Sequence, residues 1–170
     1  SWAELDPALV RVTLHNLSRS GATDTGRIEL QAAAGQWHMR LDQRLGNARL
    51  TGSIDARAPA EGTPFLQSNL DGTLALDVPE PESFLKTFTG DWAQDLAEAM
   101  NGSFRIEGDL ADTLEQARFA GSASAPALTY RGLPTAAVTA QFSIDGQAVV
   151  VSDVTARAEA NEMRGDLRLS

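Results

Sequence analysis

The chain of 170 residues contains no cysteine. That absence excludes disulfide bonds, thiolate zinc sites and cysteine nucleophiles together. Aromatic residues make up only 6% of the sequence, and many apolar positions are alanine. Because small side chains bury little area, this composition favours a thin or extended architecture over a thick globule.

Positive charge is also scarce, since 14 Lys and Arg stand against 23 Asp and Glu, for a net charge of −9. Without a basic cluster, nucleic acid is not an expected partner, and an anionic bilayer surface would repel the chain. No run approaches the roughly 20 apolar residues of a spanning helix, so we expect that the segment itself does not span a membrane. The chain opens abruptly at Ser1 and stops within a strand pattern at Leu169, and we expect it to be a segment of a longer protein.

What the sequence does contain is one amphipathic strand, repeated. Between Gly102 and Leu110, apolar Phe104 and Ile106 alternate with Arg105 and Glu107. Successive Cβ atoms of a strand point to opposite faces, so this alternation predicts a strand with one apolar and one polar face. The pattern of glycine followed by alternating apolar residues recurs at Gly26–Leu30, Gly52–Ala56, Gly72–Leu76 and Gly165–Leu169.

Short connections join these strands. Gly46-Asn47 and Asp145-Gly146 are hairpin signals, and connections this short require antiparallel pairing. Ser18–Thr25 is predicted as a loop and Arg131–Pro134 as a turn. The sequence therefore predicts a mainly β protein with an antiparallel sheet. We expect a single repetitive domain over 1–170, with a first β segment at 1–80 and a second at 101–170.

A helical insertion is predicted between the two β segments, at 81–100. Phe84, Leu85 and Phe88 have helical spacing after a proline-rich break, and Asn101-Gly102 is typical of a left-handed helix cap. Its apolar residues can either pack on the sheet edge and protect it, or cover an apolar groove as a lid, and the sequence does not separate these alternatives. The residues of this possible lid are Phe84, Phe88, Trp92 and Leu96.

No constellation of residues predicts catalysis. The two histidines, His15 and His38, lack metal-ligand spacing, and His38 is expected on the polar side of its strand. Carboxylates fall mostly on polar strand faces, and the Asp109, Asp112 and Glu115 group lacks a calcium-loop pattern. Serines lack a nucleophile-elbow context, and no glycine-rich loop joins a strand to a helix. We therefore predict no enzyme, no catalytic residues, no metal site and no cofactor.

The second β segment resembles one repeat of the TamB-like and AsmA-like envelope proteins. The resemblance lies in Met100-Asn-Gly-Ser-Phe-Arg-Ile-Glu-Gly-Asp-Leu, in Ala117-Arg-Phe-Ala-Gly-Ser-Ala-Ser-Ala, and in Leu128-Thr-Tyr-Arg-Gly-Leu-Pro134 with the strand that ends at Asp145-Gly146. It covers roughly the last seventy residues well and the first eighty more loosely. The resemblance implies an elongated, curled antiparallel sheet that forms an open, taco-like trough with an apolar inside. It also implies a location in the periplasm and a tether to the inner membrane by a region outside this chain.

The function expected from this resemblance is a lipid-binding or lipid-conduit segment that holds phospholipid acyl chains on its apolar concave face, for inter-membrane transport or outer-membrane assembly. An outer-membrane β-barrel protein is a possible partner. The alternative is a purely structural or protein-binding β module, such as a scaffold or chaperone for outer-membrane proteins; a carbohydrate-binding sandwich is a third. The alternation predicts that the groove is lined by Ile28, Leu30, Trp37, Met39, Leu50, Ile54, Leu74, Leu76, Phe104, Ile106, Phe119, Val138, Phe142, Ile144 and Val151.

Overall fold

The structure is a computed structural model, and it describes residues 8–19, 22–33, 35–57, 64–82, 84, 100–130, 133–135, 137–145, 148–158 and 161–169. Within these ranges the chain is mainly β, as predicted. The strands are β1 (Ala8–Arg19), β2 (Ala22–Ala33), β3 (Gln36–Leu45), β4 (Ala48–Arg57), β5 (Asn69–Val78), β6 (Met100–Gly102), β7 (Phe104–Thr113), β8 (Arg118–Ala125), β9 (Leu128–Tyr130), β10 (Leu133–Thr135), β11 (Ala137–Ile144), β12 (Val149–Ala158) and β13 (Asn161–Leu169). One 3-10 turn spans Phe65–Gln67.

Ten of these strands form one antiparallel sheet in the order β1-β2-β3-β4-β5-β7-β8-β11-β12-β13. Each strand pairs with the next one of the series, so the sheet is a serial meander. Among the described residues β1 and β13 pair on one side only, and the sheet is not closed into a barrel. The predicted antiparallel meander is thereby confirmed.

Both predicted hairpins are present. Gly46 has a φ of 62°, the left-handed value that the β3–β4 turn requires and that glycine adopts without steric cost. At the β11–β12 connection the Asp145 side chain accepts a hydrogen bond from the Ala148 amide at 3.0 Å, and the Asp145 amide donates to the Ala148 carbonyl at 3.2 Å. The short polar side chain thus holds its own turn, as is common for aspartate.

A β-bulge in β12 keeps the apolar residues on one face. The pairing of β12 shifts between Val151 and Val154, and Asp153 inside the shift has a φ of 51°. The Asp153 amide donates to the Asp166 carboxylate on β13 at 2.9 Å. Because the bulge inserts one extra residue, Val151 and Val154 share a face although three positions separate them.

The remaining strands form a small sheet in the order β10-β9-β6. β6 belongs to the connection between β5 and β7, whereas β9 and β10 belong to the connection between β8 and β11. Both connections leave the main sheet at the same end, since Val78 pairs with Phe104 and Ala125 pairs with Val138. We call this the capped end of the sheet.

Among the described residues, the buried hydrophobic side chains lie at the capped end. Ala48, Val78 and Ala125 are 0%, 1% and 6% exposed, and Pro81 is also buried. Asn47, in the β3–β4 turn, donates to the Glu80 backbone carbonyl and to its carboxylate, both at 3.2 Å. These contacts fasten the start of the β5–β7 connection over the end of the sheet, so a compact core forms here.

The structure does not show the predicted helical insertion. Pro81, Glu82 and Phe84 are helical, and the Phe84 amide donates to the Glu80 carbonyl at 3.3 Å, but residues 83 and 85–99 lie outside the described ranges. The predicted end of the helix was wrong, because Met100–Gly102 is strand β6. Gly102, expected to cap the helix, instead pairs with Leu128, and an added Cβ would lie 2.1 Å from the Ala127 carbonyl oxygen.

Two connections are shorter than predicted. β1 continues to Arg19 and β2 begins at Ala22, so most of the predicted Ser18–Thr25 loop is strand. Leu133 and Pro134, predicted within a turn, belong to β10. Local polarity indicated a loop in the first place and a proline indicated a turn in the second, but the strand pairing includes most of these residues. Pro134 is tolerated because β10 is an edge strand.

We expect the capped end and the rest of the sheet to differ in their tolerance of charge. Val78→Asp should destabilise the fold by more than about 3 kcal/mol, because it places an unpaired carboxylate in a site that is only 1% exposed. Leu74→Asp, on the same face of the same strand, should cost about 1–2 kcal/mol, because Leu74 is partly exposed and the carboxylate reaches solvent. Urea unfolding of both variants measures the difference. Equal losses would mean that Leu74 also lies in a sealed core.

Candidate functional site

One face of the ten-stranded sheet is apolar from strand to strand. Residues that pair directly across an antiparallel ladder lie on the same face, so the register assigns each residue to a face. A single row of mutually paired residues shows the continuity of this apolar face over eight strands. The row consists of Leu30, Met39, Ile54, Gly72, Leu110, Phe119, Ile144 and Val149.

Every residue that the alternation predicted for a groove lies on this apolar face. Ile28 pairs through Leu41 with Gly52 and so reaches Leu74, while Trp37 belongs to the parallel row with Ala56. Leu50, Leu76 and Ile106 form the next row toward the capped end. At the capped end itself Phe104 pairs with the buried Val78, and Val138 pairs with the buried Ala125. Phe142 and Val151 pair with each other and continue the row of Leu74 through Gly108 and Gly121.

The apolar face is not sealed by a second packed layer. Among the described residues only Ala48, Val78 and Ala125 are buried hydrophobic residues, and all three lie at the capped end. The apolar residues of the other rows are partly exposed, and Ile144 and Met163 are 39% and 70% exposed. In a sandwich with interdigitating faces, the middle of such a sheet would be fully buried.

Glycines on the apolar face bring neighbouring backbones close together. A Cβ added to Gly52 would lie 2.3 Å from the Thr73 carbonyl oxygen on β5, and one added to Gly72 would lie 2.5 Å from the Ser53 oxygen on β4. Between β7 and β8, Gly108 and Gly121 pair directly with each other. A Cβ on Gly121 would lie 2.0 Å from the Glu107 oxygen, so no side chain fits there.

Two aromatic pairs lie on or beside this face. The Phe119 and Phe142 rings, on neighbouring strands, have centroids 5.2 Å apart at an interplanar angle of 50°. Phe84 meets Phe104 edge to face with centroids 6.3 Å apart. Phe84 is therefore the one predicted lid residue whose position is described, and it contacts the capped end. The other predicted lid residues, Phe88, Trp92 and Leu96, lie outside the described residues.

The opposite face is polar and carries cross-strand ion pairs. Arg105 donates to Asp77 on the neighbouring strand at 2.6 Å and to Glu107 on its own strand at 2.8 Å. Arg49 binds both carboxylate oxygens of Asp42, at 2.9 and 2.8 Å. These side chains are largely exposed, so each pair contributes little to stability, and their main effect is to keep this face solvated.

His38 lies on the polar face, as predicted. Its Nδ1 is 2.7 Å from the Asp55 carboxylate, directly across the ladder, and its Nε2 accepts a hydrogen bond from Arg40 at 3.0 Å. Both ring nitrogens therefore have protein partners. Asp109, Asp112 and Glu115 are exposed, and in the part of the chain that the structure describes no group of three or more His, Cys, Asp or Glu side chains could hold a metal ion.

Several depressions accompany the two faces. One of about 630 Å³ at the capped end is lined by Val78, Phe104, Ala125 and Val138 together with polar residues such as Arg105. Two of about 510 Å³ lie over small side chains of the polar face, with Thr51 and Thr73 lining both. Ion-paired arginines and carboxylates border them, so they are shallow solvated hollows on the sheet. The extended hydrophobic surface is on the other face.

Sequence reasoning did not find the capped end. Nothing in the alternation distinguishes Ala48 from exposed alanines, because alternation assigns a residue to a face and does not show whether that face is covered; Ala48 is buried beside Asn47, which contacts Glu80. Two prolines and two glutamates at Pro79–Glu82 marked a break, but did not indicate that Asn47 would bind Glu80 across 33 residues of sequence. The pairing of β4 with β5 brings these two residues together, and the pairing of β6 with β9 joins the two connections.

Comparison of the chain with family models, with curated proteins and with solved structures found no match. In the described ranges no helix has the length and apolar character to cross a bilayer. The described residues thus form an extended, partly exposed apolar face opposite a polar face that carries cross-strand ion pairs.

The ion pair between Arg49 and Asp42 should be visible in an acid titration. Hydrogen bonds from the Arg49 guanidinium hold the pKa of Asp42 below its ordinary value, with a smaller opposing contribution from desolvation. A lowered folded-state pKa means that the stabilisation is present above the ordinary pKa and is lost as the pH falls through the lowered one. The Arg49→Gln variant should therefore shift the carboxyl titration of Asp42, followed by NMR, upward toward its ordinary value. Arg157→Gln, a remote arginine on the same face, should leave the Asp42 titration unchanged.

Proposed function

We propose that this chain is a non-enzymatic, lipid-binding segment of an envelope-biogenesis protein. In this proposal the apolar face holds phospholipid acyl chains while lipid moves between membranes or while the outer membrane is assembled. The observation that carries it is the continuous apolar face across the sheet, whose described side chains outside the capped end are partly exposed. The periplasmic location, the tether to the inner membrane and an outer-membrane β-barrel partner rest on the sequence resemblance alone.

Physical chemistry requires that an apolar face of this extent be covered. Domains bury such faces against a second layer, and soluble monomers rarely expose contiguous apolar patches above a few hundred Å². Here the described residues supply a second layer only at the capped end. A ligand with long hydrocarbon chains is a suitable cover, because the face offers rows of aliphatic side chains and few hydrogen-bonding groups for a polar ligand.

The glycine contacts support a curl of the sheet toward the apolar face, as in an open trough. A side chain on a flat sheet stands roughly perpendicular to it, away from neighbouring backbones. The backbone of β5 nevertheless approaches the Cβ position of Gly52, and that of β4 approaches the Cβ position of Gly72. At these positions each backbone lies on the apolar side of the plane of its neighbour, as it does where a sheet bends toward that face. Gly108 and Gly121 mark a second fold of the same kind between β7 and β8.

The expected free energy of binding an acyl chain suits a protein along which lipid moves. An acyl chain that buries about ten methylenes gains roughly 8 kcal/mol before other costs. Ordering the chain and losing its translational freedom oppose most of that gain. Binding would then be weak enough for a lipid to move along the face, since aliphatic rows offer no single polar anchor.

Site-specific photo-crosslinking tests the face that contacts lipid. A photoreactive phenylalanine at Phe142 should crosslink to phospholipid, because Phe142 lies on the apolar face beside Phe119. The same residue at Gln141, the preceding position on the same strand, should not, because it points to the polar face. Mass spectrometry of the products identifies the lipid. Equal crosslinking at both positions, or crosslinking from Gln141 alone, contradicts the proposal.

A charged substitution separates lipid binding from the structural alternative. We expect Phe142→Asp to reduce the co-purified phospholipid at least about tenfold and to leave the protein folded, because the partly exposed position lets the carboxylate reach water. Gln141→Asp is the matched control on the polar face and should retain lipid. Lipid extraction and circular dichroism measure both results. If Phe142→Asp unfolds the chain, or if the unchanged protein carries no lipid, the structural or protein-binding module is the better assignment.

A further inference from the structure

The last strand of the sheet carries charges that alternate in sign. β13 pairs with β12 on one side, and its other edge has no strand partner among the described residues. Glu162 and Arg168 pair with Arg157 and Val150 of β12, which places the even-numbered residues of β13 on the polar face. Along that face the exposed residues are Glu162, Arg164, Asp166 and Arg168.

This series is complementary to itself in one antiparallel register. If two copies of β13 pair about Gly165, then Glu162 faces Arg168 of the second copy and Arg164 faces Asp166 of the second copy. Two-fold symmetry repeats each opposite-charge pair. A shift of either strand that centres the pairing on Arg164 or Asp166 would instead place like charges opposite each other, which is unfavourable in a ladder.

The remaining features of the edge suit close pairing. A Cβ added to Gly165 would have no atom within 4 Å, so the apolar face is open at the centre of β13 and a side chain fits there. Met163, on the apolar side, is 70% exposed. An uncovered edge also leaves a row of backbone donors and acceptors available to another strand.

The other edge of the sheet is a poorer match for β13. By register, the positions of β1 between Ala8 and Leu14 that share the polar face pair with Gln31, Glu29 and Arg27. In that stretch the sequence of β1 offers a single charge, Arg11. It does not complement a series of four alternating charges, so the edge of β13 is better matched to a second β13 than to β1.

We propose that two copies of this chain associate edge to edge through β13, antiparallel and centred on Gly165. Directly paired residues lie on the same face, so the two apolar faces join on one side of a continuous sheet. This interface does not depend on lipid binding.

Charge exchange tests the register. Analytical ultracentrifugation of the chain should show a reversible monomer–dimer equilibrium. Arg164→Asp alone, or Asp166→Arg alone, should weaken the dimer at least about tenfold, because each places like charges opposite each other twice. The double variant should restore dimerisation. Within one chain Arg164 contacts Glu162 and Asp166 accepts from the Asp153 amide. The double variant also lacks these contacts, so they cannot explain a recovery.

A single cysteine gives a second measurement that does not alter the charges. The chain has no cysteine of its own, so Gly165→Cys introduces the only thiol. Across the two-fold axis the paired Cα atoms would be about 4.5–5.5 Å apart, within the range of a disulfide. Mild oxidation should therefore give a covalent dimer. Met163→Cys is the control, because its copies would be displaced by about 13 Å along the strands.

Four outcomes would overturn the proposal. They are a monomer at all concentrations, a dimer that tolerates both single charge reversals, open-ended association of the kind that pairing of β13 with β1 would give, and equal disulfide formation at Gly165→Cys and Met163→Cys. Circular dichroism of each variant separates a lost interface from a lost fold.

Discussion

The structure depends on the rule that directly paired residues of an antiparallel ladder lie on one face. Because ten strands keep a compatible register, the alternation within each strand becomes one apolar face and one polar face across the sheet. A slip of one residue anywhere would turn the side chains of that strand over. The bulge at Asp153 shows the rule in operation, since the extra residue keeps Val151 and Val154 on the same face. The apolar face is thus produced by register, and its integrity needs no second layer to define it.

The capped end and the rest of the sheet differ in how far their hydrophobic side chains are buried. At the capped end, two connections meet in a small sheet, and Val78 and Ala125 are buried there. Elsewhere the described residues leave the apolar side chains partly exposed, and the glycine pairs bring neighbouring backbones together. The capped end provides a conventional core that can hold the fold, while the remainder of the face stays accessible. This division is the physical basis for proposing that the accessible part contacts hydrocarbon.

The sequence predicted the sheet well because strand alternation and hairpin chemistry are local. The repeated glycine-led pattern located the strands, and Gly46 and Asp145 located two turns whose hydrogen bonds the structure contains. It also placed the candidate lining residues on one face. It failed where the outcome depends on distant segments: Met100–Gly102 looked like a helix end but pairs with β9, and the buried Ala48 adjoins a contact between Asn47 and Glu80 that spans 33 residues of sequence. The phase change between Val151 and Val154 was readable in the sequence as a bulge and was missed. Charge alternation in β13 was also visible, but it gained meaning only once β13 was known to be an edge.

The serial order of the strands has a consequence for how such a protein unfolds and changes in evolution. Almost every strand of the main sheet touches only the strand before it and the strand after it in the series. Stability is then close to a sum of nearest-neighbour terms, as in solenoid proteins. Loss of an outer strand would leave the inner ladders intact, so the molecule can fray from its margins while its middle persists. A gene for such a chain could gain or lose a hairpin at a margin without redesign of the rest, and the width of the hydrophobic surface would change in steps of one strand pair.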